Sequence, residues 1–354
     1  MKLVTYLHLH SLQSQSSQAN DSSGRGGILV GDTILDLERS FTVYEAQGGR
    51  PSDIASIAES YGIGVLGFIE HAANARPAAE AIVRMHAEKR LPATDDGPVA
   101  INASEVTLLA PIPRPPSMRD GYAFRQHVET ARKNRGLEMI PEFDLFPVFY
   151  FTNHQAVIGP GALRVQKQHM DRLDFELEAA IVVGTRAKNV PASKGDAIIF
   201  GMTIMNDFSA RALQMEEMKL SLGPAKGKDF ATALGPYLVT IDELLPRSVE
   251  TPNGRHYDLA MKATVNGIQV STGNVKDMSW TFAQILERAS YGVTLYPGDV
   301  IGSGTCGTGC FLELNGSKIT NNQWLKAGDT VSLEIASLGR LDNTVVVVPD
   351  DTPV

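Results

Sequence analysis

Two cysteines among 354 residues are too few for a disulfide framework. Cys306 and Cys310 lie four apart in GTCGTGC with no second pair, so a C-x-x-C redox or zinc motif is excluded, and both read as unpaired thiols in a turn ahead of a strand. Positive charge is scarce too. With 32 Lys and Arg against 40 Asp and Glu, the net charge is −8 and the pI about 5.5. That balance argues against nucleic acid and anionic membranes as partners, because both reward a basic surface. No apolar run approaches the roughly 20 residues of a membrane span. The opening MKLVTYLHLH is broken by His too early for a signal peptide, so a cytoplasmic location is expected. A Rossmann fingerprint and internal repeats are both missing. LGPAKGKDFATALGP is not a P-loop, since Lys228 is followed by Asp229 and Phe230 in place of Ser or Thr.

The length allows two domains and a substantial core, and the composition divides near residue 105. Residues 1–105 are expected to form an N-terminal α+β domain, and 106–354 a catalytic domain. In the first, GGILVGDTILDLE predicts two short strands around a Gly-Asp turn, while SDIASIAESYG and RPAAEAIVRMHAEKR predict amphipathic helices. Residues 11–27 form a Ser/Gln-rich stretch of loop character, and ATDDGP and LLAPIPRPPSM bracket the entry to the second domain. Beyond it, apolar runs predict strands at 179–183, 197–205, 237–241, 259–265 and 331–335. GDVIGSGT and AGDTVSLEI each read as a Gly-Asp turn followed by a strand, so the class is a mixed, β-rich α+β fold built on a rolled sheet.

Chemistry concentrates in acids spread over about ninety positions: Asp120, Glu176, Glu178 and Asp207. In LDFELEAAIVVG the alternation puts Glu176 and Glu178 on one face of a strand, with Phe175, Leu177, Ala179 and Ile181 on the other. Two carboxylates on one face repel unless a cation lies between them, and oxygen ligands suit Mg²⁺, Mn²⁺ or Ca²⁺ better than Zn²⁺. In MNDFSARALQ, Asp207, Arg211 and Gln214 fall at i, i+4 and i+7 and would share a helical face, which leaves Asp207 open to a capping role as well.

Taken in order, FELEAAIVVG, MNDFSAR, LGPAKGKDF and GDVIGSGTCGTGCFLEL resemble the fumarylacetoacetate hydrolase family, from about residue 114 to about 348. The resemblance implies a C-terminal β-sandwich roll with a smaller N-terminal α+β domain that can help cover the site, and a homodimer. It also implies Mg²⁺ (or Mn²⁺ or Ca²⁺) bound by Asp120, Glu176, Glu178 and Asp207. Arg211, Gln214, Lys228 and Thr305 would face the substrate. MRDGYAFRQHVETARKNRG is similar to the family stretch that supplies a metal-binding Asp, a Tyr and the catalytic His, here Asp120, Tyr122 and His127. By the same resemblance FPVFY puts Tyr150 in the pocket, and Glu313 in FLEL orients the His. Arg132 and Arg135 both lie near the place of an Arg that grips a substrate carboxylate.

The expected activity is metal-dependent hydrolysis of a carbon–carbon bond in a small 1,3-diketo acid, of the fumarylacetoacetate, fumarylpyruvate or acylpyruvate class. His127 would activate water with Glu313 as its partner, and Lys228 and the metal would stabilise the enolate. Dehydration of a 2-keto-3-deoxy sugar acid and decarboxylation of an oxaloacetate-type acid are the alternatives, because the same cradle serves them. A noncatalytic binding protein would show gaps among the polar residues, and the sequence has none. His8 and His10 form an H-x-H without a third ligand and read as strand or surface. His71 is a candidate lid residue, and His154, His169 and His256 have no evident partners.

Overall fold

The computed structural model describes residues 1–8, 24–49, 64–95 and 97–350. A 12-stranded sheet runs through it in the order Ala100–Asn102, Thr33–Asp36, Arg25–Val30, Lys2–His8, Thr232–Thr240, Ile199–Asp207, Leu177–Val183, Val300–Gly302, Met118–Gly121 and Phe149–Phe151. Val106–Leu108 and Val157–Ile158 pair off that path. The sheet crosses the expected boundary at residue 105, because Lys2 and Leu3 pair with Val239 and Leu238. A second, five-stranded sheet holds Ile268–Asn274, Ala260–Val265, Thr330–Ile335, Gly339–Val348 and Gly161–Gln166.

Leu177–Val183 explains the architecture. LEAAIVV is buried at every position, the pattern of a central strand covered on both faces. Leu177, Ala179, Ile181 and Val183 join a core with Met261, Ala263, Val331, Leu333 and Leu341 of the five-stranded sheet. Ala180 and Val182 instead meet Phe68, Ile69, Ala75, Ala79 and Ile82 of the N-terminal helices. The period of two therefore sorts one strand between two cores. The result is a mixed α+β fold dominated by sheet.

Local signals explain the joints. Asn266 and Gly267 take φ of 52° and 78°, the left-handed pair that a two-residue hairpin turn requires, and join Ala260–Val265 to Ile268–Asn274. Asp36 caps the helix Leu37–Ala46 by accepting from the Arg39 amide. The expected helix in RPAAEAIVRMHAEKR forms as Ala72–Ala87, whereas SDIASIAESYG and His10 lie outside the described residues. Among the described residues, no helix is long and apolar enough to cross a membrane.

Candidate metal centre and active site

Adjacent strand ends bring the acids together. Asp120 pairs with Gly302, Glu178 with Met205 and Asp207 with Thr232, while Glu176 immediately precedes Leu177–Val183. Asp120, Glu176 and Glu178 are buried and each offers an oxygen within 4.8 Å of the others. Asp207 lies alongside but is engaged elsewhere: it accepts from Lys228 Nζ at 2.6 Å and from the Tyr150 hydroxyl. Asp207 also belongs to the end of a strand, and the helix Arg211–Met218 begins four residues later with Ala210 at its cap. The shared helical face expected for Asp207, Arg211 and Gln214 therefore holds only for the last two. Asp207 reaches the cluster because its strand neighbours Leu177–Val183.

The cluster is divided electrostatically. Burial raises every carboxyl in it, but at Glu176 the Lys228 and Arg211 charges outweigh burial and pull the group down to about 2. Lys228 Nζ is 2.5 Å from Glu176 Oε2, and Arg211 Nη2 donates to Glu176 Oε1 at 2.7 Å. Asp120 is pushed up to about 7 by burial and by Asp207. Burial, with Asp120 and Glu176 adding to it, lifts Glu178 well above the carboxylate range. At an effective dielectric near 20, two carboxylates about 4 Å apart repel by roughly 4 kcal/mol. Asp120 and Glu178 thus need protons or a cation.

A hard divalent cation fits these residues. Glu178 Oε2 is buried with no hydrogen-bond partner among the described residues. Gly302 leaves room that a side chain would close, since a Cβ there would fall 2.4 Å from Asp120 Oδ1. The donors are all oxygens, which suits Mg²⁺, Mn²⁺ or Ca²⁺. Asp120, Glu176 and Glu178 would hold the ion, with Asp207 adjoining.

Beside the acids stands a buried pair. His127, on the helix Arg125–Lys133, has Nδ1 2.6 Å from Glu313 Oε2, and its ring meets the Tyr122 ring edge-on at 5.8 Å. FLEL forms the start of a helix, Phe311–Gly316, so GTCGTGC precedes a helix and not the expected strand. A stretch of four residues, three of them apolar, does not distinguish the two periods. Thr305 donates to Glu178 Oε1 at 3.3 Å, and Gln214 Oε1 accepts from Arg211 Nη1 at 3.0 Å. Tyr150, Thr152, Asn153, Lys228 and Asp229 line a cavity of about 300 Å³ next to this cluster. Arg132 and Arg135 donate to the carbonyls of Glu138 and Ala131 on an exposed surface.

One residue escaped the reading of the sequence. Asp174 is fully buried and takes Arg211 Nε at 2.9 Å on Oδ2. The amides of Phe311 and Leu312, which begin the Glu313 helix, also donate to it at 2.8 and 3.0 Å. It thereby ties Arg211 to the helix carrying Glu313. The signal was its spacing: Asp174, Glu176 and Glu178 share one parity in LDFELE. Removing one partner of a buried ion pair costs about 3–5 kcal/mol. Asp174→Asn is accordingly expected to lose that much in urea unfolding, and a loss below about 1 kcal/mol would show that the tie is weak.

The remaining histidines stay apart. His8 packs edge-on against Tyr6 at 5.5 Å, His169 stacks on Phe230 at 4.5 Å, and His256 meets the Lys276 carbonyl. His71 sits at the junction of Val65–Glu70 and Ala72–Ala87.

Residues 117–346 match the model of the fumarylacetoacetate (FAA) hydrolase C-terminal family. An oxaloacetate tautomerase of Bacillus subtilis, YisK, is 30% identical over 328 residues, covering 90% of this chain and 95% of that protein. The human mitochondrial oxaloacetate tautomerase FAHD2A is 33% identical over 245 residues, 69% of this chain and 70% of its own length. In fold, the chain is similar to maleylpyruvate hydrolase of Sphingobium sp. SYK-6, solved in complex with manganese(II) and pyruvate. The TM-score is 0.64 at 20% identity, over 98% of this chain and 99% of that one. With a family match across most of its length and relatives at this level of identity, the chain belongs to the fumarylacetoacetate hydrolase family.

Proposed function

We propose that this protein is a divalent-metal-dependent hydrolase that cleaves a carbon–carbon bond in a small 1,3-diketo acid of the acylpyruvate class. The buried His127–Glu313 pair beside the carboxylate cluster carries this reading. A base held by a carboxylate in a dry site is what water activation requires. Glu313 fixes the imidazole through Nδ1, which leaves Nε2 to take the proton from water, and its charge stabilises the imidazolium that results. The hydroxide attacks the carbonyl remote from the carboxylate. The bond between that carbonyl and the central carbon then breaks, its electrons forming the enolate of the 2-oxo acid, which His127 reprotonates. Arg211 and Lys228 place positive charge where the substrate's carboxylate and enolate oxygens arrive, and a well-aimed donor of this kind is worth about 3 kcal/mol in the transition state. A cation held by Asp120, Glu176 and Glu178 would act as a Lewis acid on the enolate charge.

Support comes from the related fold that binds manganese and pyruvate, since pyruvate is one product of cleaving an acylpyruvate. A second reading is favoured by the tautomerase relatives, one of them similar over nearly the full chain: His127 would move a proton between carbon and oxygen of an oxaloacetate-type acid, with no carbon–carbon bond broken. Product analysis separates the two. Incubation with Mg²⁺ or Mn²⁺ is expected to convert acylpyruvates to two acids in equal amounts. Loss of the enol absorbance of oxaloacetate with no new acid formed, and intact acylpyruvates, would replace hydrolysis by tautomerisation.

A further inference from the structure

A second group of metal-competent side chains lies beside the carboxylate cluster and differs from it in kind. His127, Cys310 and Glu313 are all buried, and their donor atoms lie within 4.8 Å of one another. One cluster offers only oxygens, whereas this one offers nitrogen, sulfur and oxygen. Glu313 Oε1 is buried without a hydrogen-bond partner among the described residues, so an oxygen is in place and uncommitted. We propose that His127, Cys310 and Glu313 form a separate soft-metal site that takes Zn²⁺.

The donor chemistry selects this ion. Zinc accepts mixed sulfur, nitrogen and carboxylate ligands, and three protein ligands with an open fourth position are a stable arrangement for it. Mg²⁺ and Ca²⁺ discriminate against thiolate and imidazole and remain with the oxygens. Cys310 is a free thiol for which the proposed hydrolysis has no use. Binding releases its proton to solvent, because a coordinated thiol is deprotonated. The imidazole stays neutral, with its proton on the ring nitrogen that the ion does not take. An occupied site removes His127 from proton transfer, so zinc inhibits the Mg²⁺-loaded protein without displacing magnesium.

Cobalt(II) serves as the spectroscopic stand-in for zinc. Added to protein saturated with Mg²⁺, it is expected to give a thiolate-to-cobalt charge-transfer band that Zn²⁺ abolishes. That band is absent in Cys310→Ser and retained in Cys306→Ser. Zinc affinity measured by equilibrium dialysis in excess Mg²⁺ falls at least about tenfold in Cys310→Ser, since losing a ligand costs no less than the 10–100-fold typical of an outer partner. Should that variant not fold, Glu313→Gln takes its place with the same expected loss. No band in the unaltered protein, a band that survives in Cys310→Ser, or unchanged zinc affinity in the folded variant overturns the site. These readouts need no turnover, so they stand or fall independently of the substrate.

Discussion

Replacing His127 with Ala is expected to lower turnover by about 10²–10⁴-fold, the range over which a positioned general base acts. Affinity for Mg²⁺ should change little, because the three clustered carboxylates lie in or beside the strands Met118–Gly121 and Leu177–Val183 and not on the helix that carries His127. Burial makes the variant informative. His127 is buried against Glu313, so water does not readily take over its position, and an external base such as imidazole should restore part of the rate. Glu313→Gln should move activity in the same direction, since it removes the negative charge opposite the imidazolium. Steady-state kinetics paired with a metal titration makes the check. A His127→Ala protein that keeps more than about a tenth of the rate would end the assignment of His127 as the base.

Glu178→Gln should weaken metal binding by more than about a hundredfold, a larger effect than the 10–100-fold of an outer partner, while making the chelator-treated protein more stable. The two signs have one origin. In the metal-free state burial and neighbouring acids keep Glu178 well above the usual carboxylate range, so its ionisation opposes folding. Raising a carboxyl by one pH unit in the fold costs up to about 1.4 kcal/mol, and glutamine avoids it. The pH dependence has a definite sign. Asp120 titrates near 7 in the fold against an ordinary 3.8. A raised folded value contributes stability that is full below the unfolded value and lost as pH climbs through about 7. Chelated wild-type protein is therefore expected to lose stability between about pH 4 and 7 on account of this cluster, and Glu178→Gln to lose less. Glu176 behaves oppositely, since its value near 2 removes stability only at strong acidity. Thermal melts of chelated and Mg²⁺-loaded protein across this range test the scheme. A Glu178→Gln protein that binds Mg²⁺ as tightly as wild type, or melts lower than wild type when both are chelated at pH 8, would contradict it.

Much of this site is written in local pattern. The alternation in LDFELEAAIVV places acids on one parity and apolar residues on the other, and such a pattern survives in any fold that keeps the segment extended. Turn chemistry is equally local, as Asn266-Gly267 shows. Family likeness drew attention to Asp120, Tyr150, Lys228 and the His127–Glu313 pair, which the fold brings close together. What local pattern misjudged was short or shared between elements. FLEL became a helix because Asp174 accepts its first amides. Asp207 ended a strand because its backbone partners are Thr232 on one side and, through Asn206, Leu177 on the other.

The chain by itself determined which residue types could meet a hard cation and which segments would be extended, since periodicity and donor chemistry are properties of neighbours along the backbone. Tertiary structure alone decided how the acids divide. Lys228 and Arg211 neutralise Glu176, with Lys228 also bonded to Asp207, and leave Asp120 and Glu178 for a cation. The ion pairs behind that division join groups up to 52 positions apart at a few ångströms, and they depend on burial that removes water from between them. Coulomb interactions are set by separation in space and by the surrounding dielectric, neither of which is encoded in spacing along the sequence.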